Sequence, residues 1–330
     1  MGNLRHKWYL IILVSGLLVL SCSKKPSNSV SGNLVLKAVF DTPGSANAVS
    51  ANDEYLYVAD GYDGGVQVVD ITNLDSLVLV GQVDTPGNAI DIMVAGEYAY
   101  IADNEAGLQM INISNPTVPA LAGEFATPDR AIGVFVYGNY AYLADNDAGV
   151  QIVDITAPTS LEVAGSYATA NKSFEVFVSG NFVTGLYAYV ASDYSGLLII
   201  DLDDLDSLRL AGLYNTPGRA LDVFVVGNYA YIADYTSGLI ILDITLPTNI
   251  ELVGHVDTPD QAFSVYVKGN YAYIADYNSG LQIIDITDKE DPRIVASYDT
   301  PGYAQDVFVT DDYIFLADGE EGVIILEMLE

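Results

Sequence analysis

A glycine returns at positions 65, 107, 149, 196, 238, 280 and 322, and the steps between these are 42, 42, 47, 42, 42 and 42 residues. Self-similarity at a fixed period constrains the fold more than any single motif, because each unit can bury its apolar faces only against a neighbour built the same way. The text around each glycine is shared. Tyr229 to Thr245 returns as Tyr271 to Thr287, Tyr140 to Thr156 and Tyr98 to Ser114, with looser copies at Tyr55 to Thr72, Tyr187 to Leu202 and Tyr313 to Met328. A second piece, Asp-Thr-Pro-Gly and its variants, places a threonine at 42, 85, 127, 169, 216, 258 and 300.

One unit is long enough for four short strands. Ala220 to Val226 is β-branched and aromatic and ends at Gly227-Asn228, a tight-turn signal. Tyr229 to Ala233 follows, then a loop from Asp234 to Gly238, then the apolar run Leu239 to Ile244. Ile250 to Asp257 is the fourth strand, entered past Pro247, which cannot sit inside a central strand. Apolar residues on both faces of the middle strands predict sheets sandwiched between sheets. Seven four-stranded antiparallel units about one axis predict an all-β, seven-bladed propeller. The first repeat-like strand, Leu34 to Asp41, matches a fourth strand, and the last, Val323 to Met328, matches a third. The N-terminal strand is therefore expected to pair with the C-terminal blade and close the ring. The longer step in the fourth copy is assigned to an enlarged hairpin at Phe182 to Leu186.

The cores Val68-Val69-Asp70-Ile71, Ile152-Val153-Asp154-Ile155 and Ile283-Ile284-Asp285-Ile286 resemble the LVIVD-repeat family of bacterial and archaeal surface proteins. That resemblance implies a propeller in an extracytoplasmic location and carries no catalytic residues over.

Residues 1–21 read as a lipoprotein signal peptide: Arg5 and Lys7 precede the mostly apolar run from Trp8 to Leu20, which is too short to span a bilayer. Val19-Leu20-Ser21-Cys22 resembles a lipobox, in which the cysteine becomes the lipidated first residue. Residues 22–33 form a polar, aperiodic tether and residues 34–330 the propeller. Ser23 after the cysteine resembles the pattern sorted to an outer membrane, on its periplasmic or its external side. Losing Arg5 and Lys7 with the leader leaves 10 basic residues against 44 acidic ones, a net charge of −34. This field argues against nucleic acid as a partner, and membrane contact is expected only through the anchor.

Residues that recur in every unit are scaffold by default, because one ligand site does not need seven equivalent positions. Asp60, Asp103, Asp145, Asp193, Asp234, Asp276 and Asp318 are assigned on that rule to Asx-type turns, accepting loop N–H groups. His6 leaves with the leader and His255 lies on an outer strand. Cys22 is the only cysteine, so Ser-His, Cys-His and zinc chemistry find no residues. Spaced oxygens at Asp145-Asn146-Asp147 and Asp60-Gly61-Tyr62-Asp63 fall short of a calcium set, so calcium stays an open cofactor and no other is expected.

The copies differ three residues after each threonine, where Arg130, Lys172 and Arg219 fall in successive units, and six residues after, at Asp91, Glu175, Asp222 and Asp306. These positions are expected to ring the mouth of the central channel, with Tyr194, Tyr235 and Tyr277 from the second loop as aromatic platforms. The cations are either neutralised by Glu175 and Asp222 or reserved for an anionic group on a ligand. The expected function is a monomeric, non-catalytic binding propeller for a protein, peptide or glycan. The alternative is a carbohydrate-active enzyme using Glu175 and Asp222 as paired carboxylates. A first test concerns the anchor: Cys22→Ala should shift the protein from the membrane fraction to the soluble one, or leave the leader uncleaved. A mature chain that carries no lipid by mass overturns the assignment.

Overall fold

A computed structural model describes residues 30–31, 33–181 and 185–329. The leader, Cys22 and the tether as far as residue 29 lie outside the described residues, as does the tip of the fourth copy's hairpin at 182–184.

Seven four-stranded antiparallel sheets are arranged as blades, and all but the last run in sequence order from an innermost to an outermost strand. Blade 5 shows the pattern: Asp222–Val226, Tyr229–Ala233, Leu239–Asp243 and Glu251–Val256. The Tyr-Ala-Tyr-Ile-Ala strands are buried on both faces except at the first tyrosine, because each blade is covered by the blades on either side. The hydrophobic clusters therefore lie between blades rather than within them. Tyr189, Ile199, Val223, Ile232 and Ile240 share one such cluster across blades 4 and 5.

The ring closes as the repeat phase predicts. Leu34–Phe40 pairs antiparallel with Val323–Met328 and supplies the outermost strand of blade 7, whose other strands come from the C-terminus. Phe315, Val323 and Ile325 of blade 7 pack on Val49, Leu56 and Val58 of blade 1. Val30–Ser31 pairs with Ser297 and Tyr298 on the outer edge of blade 6, so the end of the expected tether adds a fifth strand there. In blade 4 the hairpin strands Glu175–Asn181 and Gly185–Ala191 have seven residues each, against five in blade 5.

Neighbouring blades approach closely at the outer strand, where a register shift sits between Ile241 and Leu242 and recurs in the other blades. Gly212 of blade 4 lies against the loop of blade 5, and a Cβ there would run into the Pro247 carbonyl oxygen. Helix is confined to one turn at Gly61–Gly64 and a 3-10 turn at Leu205–Ser207 among the described residues.

Removing residues through Phe40 leaves Val323–Met328 as an open edge and uncovers the junction of blades 7 and 1. The melting temperature should fall by at least about 5 °C in a single transition. A truncated protein melting with its parent would show that the strand does not seal the ring.

Candidate functional site

The innermost strand of each blade has one neighbour in its sheet and faces the channel on its other edge. Its channel-facing residues alternate, so Asp222 and Phe224 point to the axis while Val223 joins the core. The resulting layers can be followed inward from the face that carries the Thr-Pro-Gly loops.

The outer layer is an apolar collar of Ile90, Ile132, Phe174, Leu221 and Phe263, completed by Asn47 and Gln305. Arg219 and Tyr235 join its wall. Beneath it lie Ala48, Asp91, Glu175, Asp222, Ser264 and Asp306. These two layers enclose a cavity of about 330 Å³. Below the carboxylates a second cavity of about 300 Å³ is ringed by Met93, Phe135, Phe177, Phe224, Tyr266 and Phe308. Successive aromatic centroids from Phe135 to Phe308 are 4.6, 5.0, 4.8 and 5.2 Å apart, with interplanar angles of 42, 50, 50 and 59°. Those angles follow the rotation of about 51° from one blade to the next in a seven-bladed ring.

The carboxylates are held by backbone donors. Asp91 accepts from the N–H of Ile92 at 2.7 Å and from Val134 of the next blade at 2.7 Å. Asp222 does the same with Val223 and with Val265 of the next blade, at 2.6 and 2.7 Å. Asp306 accepts from the N–H of Val49 in blade 1 at 2.9 Å and from Ser264 Oγ at 2.7 Å. Glu175 accepts from its neighbour Val176 at 2.9 Å and leans its other oxygen over Gly133, where a Cβ would collide with it. Burial between two apolar layers raises every carboxyl in this layer, and repulsion from the other acids adds to it at Asp91, Glu175 and Asp222. Asp91 and Asp222 reach about 7, Glu175 stands well above the ordinary glutamate range, and Asp306 is raised.

Asp91, Glu175, Asp222 and Asp306 face the channel, but deeper than the mouth where they were expected: they form the floor under the collar. The collar was missed altogether. Its signal was available in blades 2 to 6, an apolar residue just before the strand-opening position and just after an Ala or Ser such as Ala89, Ala131 and Ser173.

The three cations do not act together. Arg130 lies 4.0 Å from Asp129 with its side chain 42 % exposed and outside the cavity wall, and half-buried Lys172 is outside it too. Only Arg219 enters the cavity. Its partner is neither Glu175 nor Asp222, as expected from sequence, but Asp193, whose Oδ1 accepts from the guanidinium Nε at 2.5 Å. The guanidinium carbon lies 5.6 Å from the ring centres of Phe174 and Tyr194 and 5.2 Å from that of Tyr235, within cation–π range. Tyr277 is stacked between Phe263 and Tyr303, at 5.0 and 4.7 Å.

Asp193 also corrects the assignment of the recurring aspartates. Asp103, Asp234, Asp276 and Asp318 are fully buried and reach back to the piece that enters their blade. Asp234 accepts from Thr216 Oγ1 at 2.5 Å and from the Gly218 N–H at 2.7 Å, and Asp318 accepts from Thr300 and Gly302 at 2.6 and 2.8 Å. They are scaffold, as expected, but they clamp the Thr-Pro-Gly loop rather than cap their own. In blade 4 the clamp position is Ser192, four residues before Gly196, and Asp193 stands one place later. That later place is left-handed in every blade, with φ of +43° at Asp193, +52° at Tyr235 and +46° at Tyr277. Glycine fills it in blades 1 and 7, at Gly61 and Gly319. Bulky residues there are under strain, which is concentrated at functional positions in folded proteins. His255 lies on the outermost strand of blade 5, beside Asp257 at 3.0 Å and the Ser237 carbonyl oxygen at 3.1 Å. Among the described residues, no group of three or more His, Cys, Asp or Glu side chains is arranged to hold a metal ion.

A family model described as the LVIVD repeat matches residues 43–85, 86–127, 130–169, 172–216, 217–258, 260–300 and 301–327. No curated protein matches the chain. Similar solved structures include the RRP9 WD40 repeats, 8 % identical with a TM-score of 0.72, covering 92 % of this chain and all of that one. Sqt1 from Saccharomyces cerevisiae is 10 % identical with a TM-score of 0.66, over 91 % of this chain and all of that one. The computationally designed Ika8 protein is 7 % identical with a TM-score of 0.66, over 88 % of this chain and 98 % of that one. At these identities the likeness is one of fold.

The floor acids set a pH dependence. An acid with a folded pKa above its unfolded value keeps its proton longer in the native state, so its stabilisation is complete below the unfolded value of 3.8 and is lost as pH climbs to about 7. The melting temperature should therefore rise as pH is lowered from 8 to 5. An Asp91→Asn, Asp222→Asn double variant should have a flatter profile over that window when each protein is referred to its own value at pH 8. Equal slopes would place the dependence elsewhere.

Proposed function

The chain belongs to the LVIVD-repeat family, and from that premise we propose a binding or interaction propeller that takes its ligand at the channel mouth, held outside the cytoplasm by a lipid on Cys22. The observation that carries this reading is the collared cavity with Arg219 in its wall. The copies differ there in residue type, one blade gives up its clamp aspartate, and tyrosines occupy left-handed positions that glycine fills elsewhere. A cavity of about 330 Å³ is at the small end of the range that accepts organic ligands. An apolar wall with few polar groups supplies affinity through burial and orientation through those groups. The ligand can be a free molecule or the end of a protein, peptide or glycan chain.

Glycan cleavage by Glu175 and Asp222 has one observation in its favour: carboxyl groups raised toward neutrality suit a general acid. The weight lies against it, because both oxygens of Asp222 are occupied by backbone N–H groups, one from Val223 beside it and one from Val265, which joins blades 5 and 6. These bonds explain the residue without a reaction.

Ligand-observed NMR with a fragment library tests the reading. Binding fragments should be lost when Leu221→Trp fills the collar of a protein that still melts as one unit. Fragments that bind the variant as well as the parent would move the site away from the mouth.

A further inference from the structure

Resting on the mouth-cavity reading, we infer that the ligand is a small carboxylate with an apolar, preferably aromatic, body. The acid meets the Arg219 fork and the body fills the collar.

Two sets of charged groups face the cavity, and they differ in what they have left to offer. Asp91, Asp222 and Asp306 each accept at least two hydrogen bonds from the protein, and in each at least one joins neighbouring blades. At these three acids a ligand cation would have to compete for oxygens that the ring already uses, and the remaining oxygen of Glu175 leans over Gly133. Arg219 is the reverse. Asp193 takes its Nε, and among the described residues no acceptor meets its two terminal nitrogens. Phe174, Tyr194 and Tyr235 hold the guanidinium plane, and the side chain is 30 % exposed. A planar fork fixed in this way has lost its rotamer entropy before any ligand arrives, and its geometry matches a carboxylate.

The collar selects the rest of the molecule. Ile90, Ile132, Leu221, Phe174 and Phe263 offer no hydrogen-bonding side chain, so a polyhydroxylated ligand would lose hydration along five of the collar's seven positions, with Asn47 and Gln305 the exceptions. An aryl or alkyl body gains from the same wall. It would lie over Asp91, Glu175, Asp222 and Asp306, with Asp193 beyond Arg219 as the other acid at the site. Covering the floor favours its protonated forms, whose carboxyls are already raised by burial. Binding should thus take up protons and tighten as pH falls from 8 to 6, where a simple carboxylate remains ionised.

Calorimetry with 3-phenylpropanoate, 3-phenylpropanamide and 3-phenylpropylamine is the test. The acid should bind, and the amide and amine should bind at least about tenfold more weakly. Arg219→Lys keeps the charge, loses the fork, and should also weaken the acid by about tenfold, with Arg219→Gln weaker still. Acid binding that follows peptide C-termini as well as free acids would show as equal affinity for a short peptide ending in phenylalanine, lost on amidation. The inference is overturned if amide or amine binds as tightly as the acid, if Arg219→Lys binds like the parent, or if the acid weakens on acidification. Should amine or amide bind and be lost in Leu221→Trp, the mouth remains a site and only the carboxylate assignment falls. Should no compound be sensitive to Leu221→Trp, both fall.

Discussion

Every blade of this ring ends in an open strand edge at the channel, and the backbone N–H groups along that edge have no partner in their own sheet. An unpaired buried amide costs as much as a lost hydrogen bond. Asp91, Asp222 and Asp306 meet that demand for Val134, Val265 and Val49 of the following blades. The last of these spans blades 7 and 1, where the chain's two ends meet. The side chains that satisfy the edges thereby fix the spacing between neighbouring wedges, and the ring's curvature depends on that spacing.

The same bonds explain why acids can be buried together in a strongly negative protein. Each carboxylate is stabilised by amide dipoles, and its charge is moderated by a raised pKa. Asp91, Asp222 and Asp306 are therefore committed to architecture, and the groups of the proposed site lie one layer further out. Blade 4 supplies that layer through a shift of one residue. With serine at the clamp position, the acid moves to the corner and holds Arg219.

Much of this was legible before any coordinates. The glycine period, the Gly-Asn turns and the phase of Leu34 to Asp41 specify seven blades and their closure, because closure is a property of the pattern as a whole. Channel positions could be read because strands alternate faces. The partner of Arg219 could not. Glu175 and Asp222 lie closer in sequence space to the cations of their repeat position, whereas Asp193 reaches Arg219 only through the loop geometry that brings adjacent blades together. Ser192 was concealed by Asp193 itself, since an aspartate near the expected place satisfies a repeat reading. The collar was concealed for another reason: isoleucine and phenylalanine beside a strand look like core, and only the axis of the ring turns them toward a cavity.

Tyr235 and Tyr277 stand in a backbone conformation that suits glycine, and this bears on how such a ring could be redesigned. A uniform repeat could carry glycine or asparagine at that corner in all seven blades, as four of the chain's own copies do, and restore the clamp aspartate in blade 4. Relief of strain at each corner, of order 1–3 kcal/mol where it is not offset by packing, would favour the uniform ring. It would also take Tyr235 and Asp193 away from Arg219, leaving its guanidinium between Phe174 and Tyr194 without an acid to hold it. Individuality in this molecule is thus purchased by local departures from an easier, more regular object.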